Sequence, residues 1–130
     1  MFDNYVLLEK GFRNVEENGE TTGFELQTFI SYYRGIPLSM INTFEIAVDG
    51  KKVPAENISF SPDGKIFFKL SELPTVTAYK WEYGEPGYLR VAAPGGLSKG
   101  KHEVSLMESI RISYIPVPFV GRSTKTLEIA

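Results

Sequence analysis

The sequence predicts an all-β fold, an antiparallel β-sandwich of about eight or nine strands, jelly-roll or immunoglobulin-like, over residues 1–130 as a single domain. Three observations predict it. Twelve glycines and eight prolines punctuate the 130 residues at short intervals. The segments between them are rich in β-branched and aromatic residues, and many alternate with period two. No stretch carries the 3.6-residue apolar period of an amphipathic helix. A chain of this length can enclose one hydrophobic core but not two.

The elements follow in order. Residues 5–8 read as a first short strand, which 12–15 extend. The turn Glu16-Glu17-Asn18-Gly19 comes next, where Asn-Gly tolerates the positive φ of a tight reversal. Residues 22–33 alternate well. Phe24, Leu26, Ile30 and Tyr32 share one face with Thr28 between them, and Glu25, Gln27 and Ser31 share the other. Phe29 and Tyr33 also fall on that second face, so they are either covered by a loop of the same chain or offered to a partner. Residues 42–48 alternate through Phe44, Ile46 and Val48. Asp49-Gly50 then turns the chain into Lys51-Lys52-Val53, and Pro54 ends the return. A second hairpin runs from 58–60 through Ser61-Pro62-Asp63-Gly64 to 66–70.

Residues 71–79 lack a period and contain Pro74, which suits a loop with one helical turn. Tyr79, Trp81 and Tyr83 follow at spacing two. Such a ladder places three rings on one strand face, where they could stack on a sugar; the alternative is that Trp81 is core. Residues 88–93 give another strand, and 94–100 a glycine-rich loop. Residues 101–115 form the longest β-like run, with Val104, Leu106, Ile110, Ile112 and Tyr114 in one phase. Glu108 interrupts that phase, and a carboxylate amid apolar neighbours is costly without a partner. A bulge at Glu108-Ser109, where the chain passes from one sheet to the other, would resolve the conflict. Pro116 and Pro118 close the run, and 124–129 add a last edge strand.

Composition removes several function classes. Apolar residues make up 42% and aromatics 13%, as in folded globular proteins. The net charge is −2 and the cations are scattered, so no nucleic-acid footprint exists. Without cysteine there is no disulfide, thiolate site or cysteine nucleophile. No apolar run reaches 18 residues and no basic-then-apolar leader opens the chain, so a soluble cytoplasmic protein is expected. His102 is the only histidine. It reads as structural, because a metal pair or base relay needs a second. No serine sits in a nucleophile elbow, and the glycine stretches lack the lysine and helix of a phosphate loop. No metal site and no catalytic residue is therefore assigned to this chain.

What remains is a rim. Tyr32-Tyr33-Arg34-Gly35-Ile36-Pro37-Leu38-Ser39-Met40-Ile41 breaks a strand at a glycine beside two rings and a cation. Arg111-Ile112-Ser113-Tyr114-Ile115-Pro116-Val117-Pro118 echoes it, and the two strand ends are expected to meet at one edge. Arg34 is either paired with an internal carboxylate or held at that rim for a partner. Arginine and tyrosine are the side chains enriched in interface hot spots.

These two motifs, with Trp81-Glu82-Tyr83-Gly84, Pro94-Gly95-Gly96-Leu97 and Lys99-Gly100-Lys101-His102-Glu103-Val104, resemble the small β subunit of bacterial C-glycoside deglycosidases. Met1-Phe2-Asp3-Asn4-Tyr5 and Ser123-Thr124-Lys125-Thr126-Leu127 fit as well, so the likeness spans nearly the whole chain. The resemblance implies a β-sandwich that supports a catalytic α subunit. That partner would be a TIM barrel similar to sugar-phosphate isomerases and epimerases, carrying a divalent metal, commonly manganese. The complex would act on 3-oxo-glycosides and cleave the carbon–carbon bond between sugar and aromatic aglycone, as in flavonoid C-glycosides. The surface expected to face the α subunit, or to line its pocket, comprises Tyr32, Tyr33, Arg34, Ile36, Pro37, Tyr114 and Pro116. A different class stays open: a stand-alone carbohydrate-binding module using Tyr79, Trp81 and Tyr83. An assembly domain that never touches substrate is a third.

Overall fold

The computed structural model describes residues 6–30, 35–111 and 117–129. In chain order the strands are β1 (Arg13–Glu17), β2 (Glu20–Thr28), β3 (Ile36–Pro37), β4 (Ile41–Val48), β5 (Lys51–Lys52) and β6 (Ile58–Ser61). They continue as β7 (Phe68–Lys69), β8 (Lys80–Trp81), β9 (Gly87–Ala92), β10 (Gly100–Ile110) and β11 (Phe119–Ile129). Three short 3-10 helices interrupt them at Leu38–Met40, Ala55–Asn57 and Leu70–Thr75. One sheet has the order β1-β2-β9-β6-β7 and the other β11-β10-β4-β5, while β3 and β8 pair separately. Every pairing is antiparallel. The expected all-β sandwich is what forms. No helix among the described residues is long and apolar enough to cross a membrane.

Alternation drives the assembly. In β4 the residues Phe44, Ile46 and Val48 turn inward, as do Val104, Leu106 and Ile110 in β10; Phe24 and Leu26 of β2 and Leu89 and Val91 of β9 face them from the other sheet. Each such side chain contributes about 1.5–3 kcal/mol on burial. At one end the core is aromatic: Phe44 stacks on Phe60 at 5.1 Å, and Trp81 lies 4.9 Å from Phe60 and 6.0 Å from Phe44.

Both expected two-residue turns occur. Asn18 and Gly19 have φ of 53° and 82°, and Asp49 and Gly50 have 52° and 82°, the doubly positive combination that matches strand twist. In the Ser61–Gly64 turn, Ser61 Oγ accepts from the amides of Asp63 and Gly64, and Asp63 Oδ1 accepts from those of Lys65 and Ile66.

Several boundaries differ from the sequence reading. Eleven strands are described rather than eight or nine; four of them are two-residue pairings, of which β3 has no counterpart in the sequence reading. Residues 12–15 do not extend the first segment. Leu7 only bridges Thr28, and Gly11 at φ 81° reverses the chain before β1. Among the described residues the second strand ends at Thr28, and residues 31–33 of the expected run lie outside them. Strand β10 stays in one sheet through Ile110, paired with β4 and β11 on its two sides. The register shift against β4 falls between Ser109 and Ile110, one residue past the expected bulge, and it does not carry the chain across to the other sheet.

Candidate functional site

The described parts of the two motifs meet, at residues 39–41 and 110–111. Ile36 and Pro37 pair with Trp81 and Lys80, and the Leu38 amide donates to the Tyr79 carbonyl at 3.0 Å. The 3-10 turn Leu38–Met40 then swings the chain into β4, where Ile41 pairs with Ile110. The Arg111 amide donates to the Met40 carbonyl at 2.7 Å, and its guanidinium Nη2 to the Ser39 carbonyl at 2.9 Å. Asn42 Nδ2 donates to Ser109 Oγ at 3.3 Å. Residues 35–42 are thus held on one side by 79–81 and on the other by 109–111. Strand β2 ends at Thr28 and β10 at Ile110, before the glycine and prolines expected to stop them, and residues 31–34 and 112–116 lie outside the described residues.

Of the expected partner-facing residues, Tyr32, Tyr33, Arg34, Tyr114 and Pro116 lie outside the described residues. Ile36 does not face outward; at 6% exposure it belongs to the chain's own core, where it anchors the edge. Pro37 is half-buried beside it.

Directly beneath this end sits a buried polar node. Glu108 is fully buried, and Thr28 Oγ1 approaches its Oε2 at 3.3 Å. The same hydroxyl meets the Val6 carbonyl, and the Phe29 carbonyl lies at 3.2 Å. The Glu108 side chain reaches across the sandwich to the end of β2, where Thr28 is one of its partners, and the strand does not bend away to expose it.

The aromatic ladder does not form a platform. Trp81 is completely buried, and its indole N–H donates to the Glu85 carbonyl at 3.1 Å. Tyr79 is 40% exposed but packs on Phe68 at 5.6 Å, and Tyr83 is 57% exposed at a turn. Pairing of β8 lasts two residues, too short to line three rings on one face. The sugar-stacking reading therefore loses its central ring.

Two clusters went unnoticed in the sequence. Glu25, expected on a polar face, is only 3% exposed; its carboxylate takes Arg13 Nη2 at 3.1 Å and Arg90 Nε at 2.7 Å, and Arg90 lies 4.3 Å over the Phe67 ring. Register makes this cluster, since Glu25 sits between Arg13 on β1 and Arg90 on β9. No spacing within one segment could reveal it. His102, expected to be structural, bonds Asp49 Oδ2 through Nδ1 at 2.7 Å and the Ser98 carbonyl through Nε2 at 2.8 Å. Both ring nitrogens face acceptors, which favours the imidazolium. The Asp49 carboxylate first and the Ser98 carbonyl second hold its pKa above the usual histidine range. Asp49 is held below the usual carboxylate range, chiefly by the His102 bond and then by the Glu103 amide.

Among the described residues no three His, Cys, Asp or Glu side chains converge on a point where a metal ion could bind. Two shallow grooves, of about 220 and 280 Å³, cross the outer faces of the two sheets.

Residues 2–114 match the family model described as C-glycoside deglycosidase beta subunit. A curated relative, the C-glycoside deglycosidase beta subunit of Eubacterium cellulosolvens, is 33% identical over 115 residues, covering 88% of this chain and 78% of that protein. The chain belongs to the C-glycoside deglycosidase beta subunit family.

Proposed function

We propose that this chain is the small subunit of a heteromeric C-glycoside deglycosidase, a carbon–carbon lyase whose catalytic groups lie in a partner α subunit. The observation that carries the reading is the family match over nearly the whole chain, joined to the likeness with a protein named as a beta subunit. The partner is expected to be a TIM barrel related to sugar-phosphate isomerases and epimerases, with a divalent metal, manganese first among candidates. The described residues of this chain offer no set to hold that metal.

The reaction follows from the substrate's chemistry. A 3-keto group on the sugar acidifies the C2 proton. A base removes that proton to give the enolate, whose electrons form the C1–C2 double bond as the C1–aglycone bond breaks. The departing aglycone takes up a proton. A metal bound to the ketone oxygen would stabilise the enolate charge. The role of this chain is to present the edge fed by residues 32–37 and 111–116, docking the partner and walling its pocket. The cytoplasm is the expected compartment.

Co-purification with a candidate α chain tests the reading. Replacing Tyr33 and Arg34 together by alanine should weaken the complex while the isolated sandwich melts as before. Unchanged assembly in the double variant would remove both residues from the interface. Failure of the unmodified chain to assemble would refute the subunit reading itself.

A further inference from the structure

An exposed turn stands beside residues 35–37 and has no role in the reading above. The turn Glu82-Tyr83-Gly84-Glu85 leaves β8 against Gly35, the residue that follows the tyrosine–arginine run in the chain. A Cβ built on Gly35 would come within 2.9 Å of both Glu82 Oε1 and the Trp81 carbonyl, so only glycine lets the two stretches lie this close. Tyr83 is the most exposed aromatic ring among the described residues, at 57%. Glu82 and Glu85 are exposed on either side of it, and neither carboxylate makes an ion pair or side-chain hydrogen bond among the described residues. Lys80 is the one cation in the adjoining strand, exposed two residues before Glu82.

The turn is also pinned in place. The Glu85 amide donates to the Glu82 carbonyl at 3.2 Å, and Gly84 takes φ 85°. From below, the fully buried Trp81 donates its indole N–H to the Glu85 carbonyl. A tyrosine presented on an already ordered turn loses little conformational freedom on docking, which is what a binding anchor requires.

We propose that this turn is the second contact of the docking edge, seating Tyr83 and its two flanking carboxylates on a basic surface of the partner α subunit. The inference rests on the subunit reading and deepens it. A protein partner fits better than a glycan, since the second exposed ring, Tyr79, is packed on Phe68 and cannot join Tyr83 in a sugar platform.

The test measures the dissociation constant of the full chain for the α subunit over a range of sodium chloride concentrations. Tyr83→Ala should weaken binding about tenfold or more. The double variant Glu82→Gln with Glu85→Gln should weaken it and flatten its salt dependence. All three side chains are exposed, so the melting temperature of the isolated chain should not change. Binding within about twofold of the unmodified chain in both variants, with the salt dependence intact, would overturn the inference. If the Tyr33 and Arg34 substitutions disrupt the complex and the turn variants do not, only this inference falls. If the unmodified chain does not bind, the subunit reading falls with it.

Discussion

Replacing Trp81 by alanine should separate a structural indole from a sugar-binding one. The ring is wholly buried against the stacked pair Phe44 and Phe60. A Cβ on Gly87 would lie 3.1 Å from the indole and 2.5 Å from Phe60, so backbone already presses on this cluster and leaves it little room to collapse. An aromatic-to-alanine change in such a site costs about 3–5 kcal/mol. The chain has 130 residues, and an unfolding entropy of about 2.1 cal/mol/K per residue gives about 0.27 kcal/mol/K in all. The melting temperature should then fall by about 11–18 °C in a calorimetric or circular-dichroism scan. Trp81→Phe keeps most of the packing and loses the bond to the Glu85 carbonyl, so it should cost only about 1–2 kcal/mol. A Trp81→Ala melt within about 3 °C of the unmodified chain would refute the core assignment.

Other substitutions probe the remaining polar groups. Glu25→Ala leaves Arg90 without its carboxylate; because both arginines are part-exposed, the cost should be about 1–3 kcal/mol by denaturant titration. Thr28→Val removes the hydroxyl shared by Glu108 and the Val6 carbonyl, and should cost about 1–3 kcal/mol in the same titration. The raised pKa of His102 means its stabilisation is full below pH about 6.5 and is lost as pH rises through the folded-state value. The depressed pKa of Asp49 works in the opposite direction, with stability present above about 3.8 and lost as pH falls through its folded-state value. Melting curves across pH should show this loss as the pH is raised above about 6.5 in the unmodified chain, and His102→Gln should remove that component.

The sandwich was legible because inward residues of long strands alternate, as in β4 and β10, and because Asn18-Gly19 and Asp49-Gly50 specify their turns locally. The approach of the two motifs was legible in part: their described residues meet at 39–41 and 110–111, although the strands end before the glycine and prolines that suggested it. The exposure of individual groups was not legible. Glu25 is buried only because β1 and β9 bring an arginine to each side of it, and register between distant strands leaves no trace in local periodicity. Glu108 looked like a reason for the strand to bend, yet Thr28, eighty residues away, meets its carboxylate instead. Trp81 and Tyr83 share a spacing that suggests one face, but β8 ends at Trp81, so one ring goes inward and the other caps a turn.

The central claim is that this chain completes an enzyme whose chemistry lies elsewhere, and reconstitution measures it most directly. The candidate α chain is titrated with this protein while cleavage of a 3-oxo-C-glucoside is followed. Activity should be low for either chain alone and should rise to saturation as the complex fills. Full activity from the α chain alone, unchanged by adding this protein, would contradict the claim.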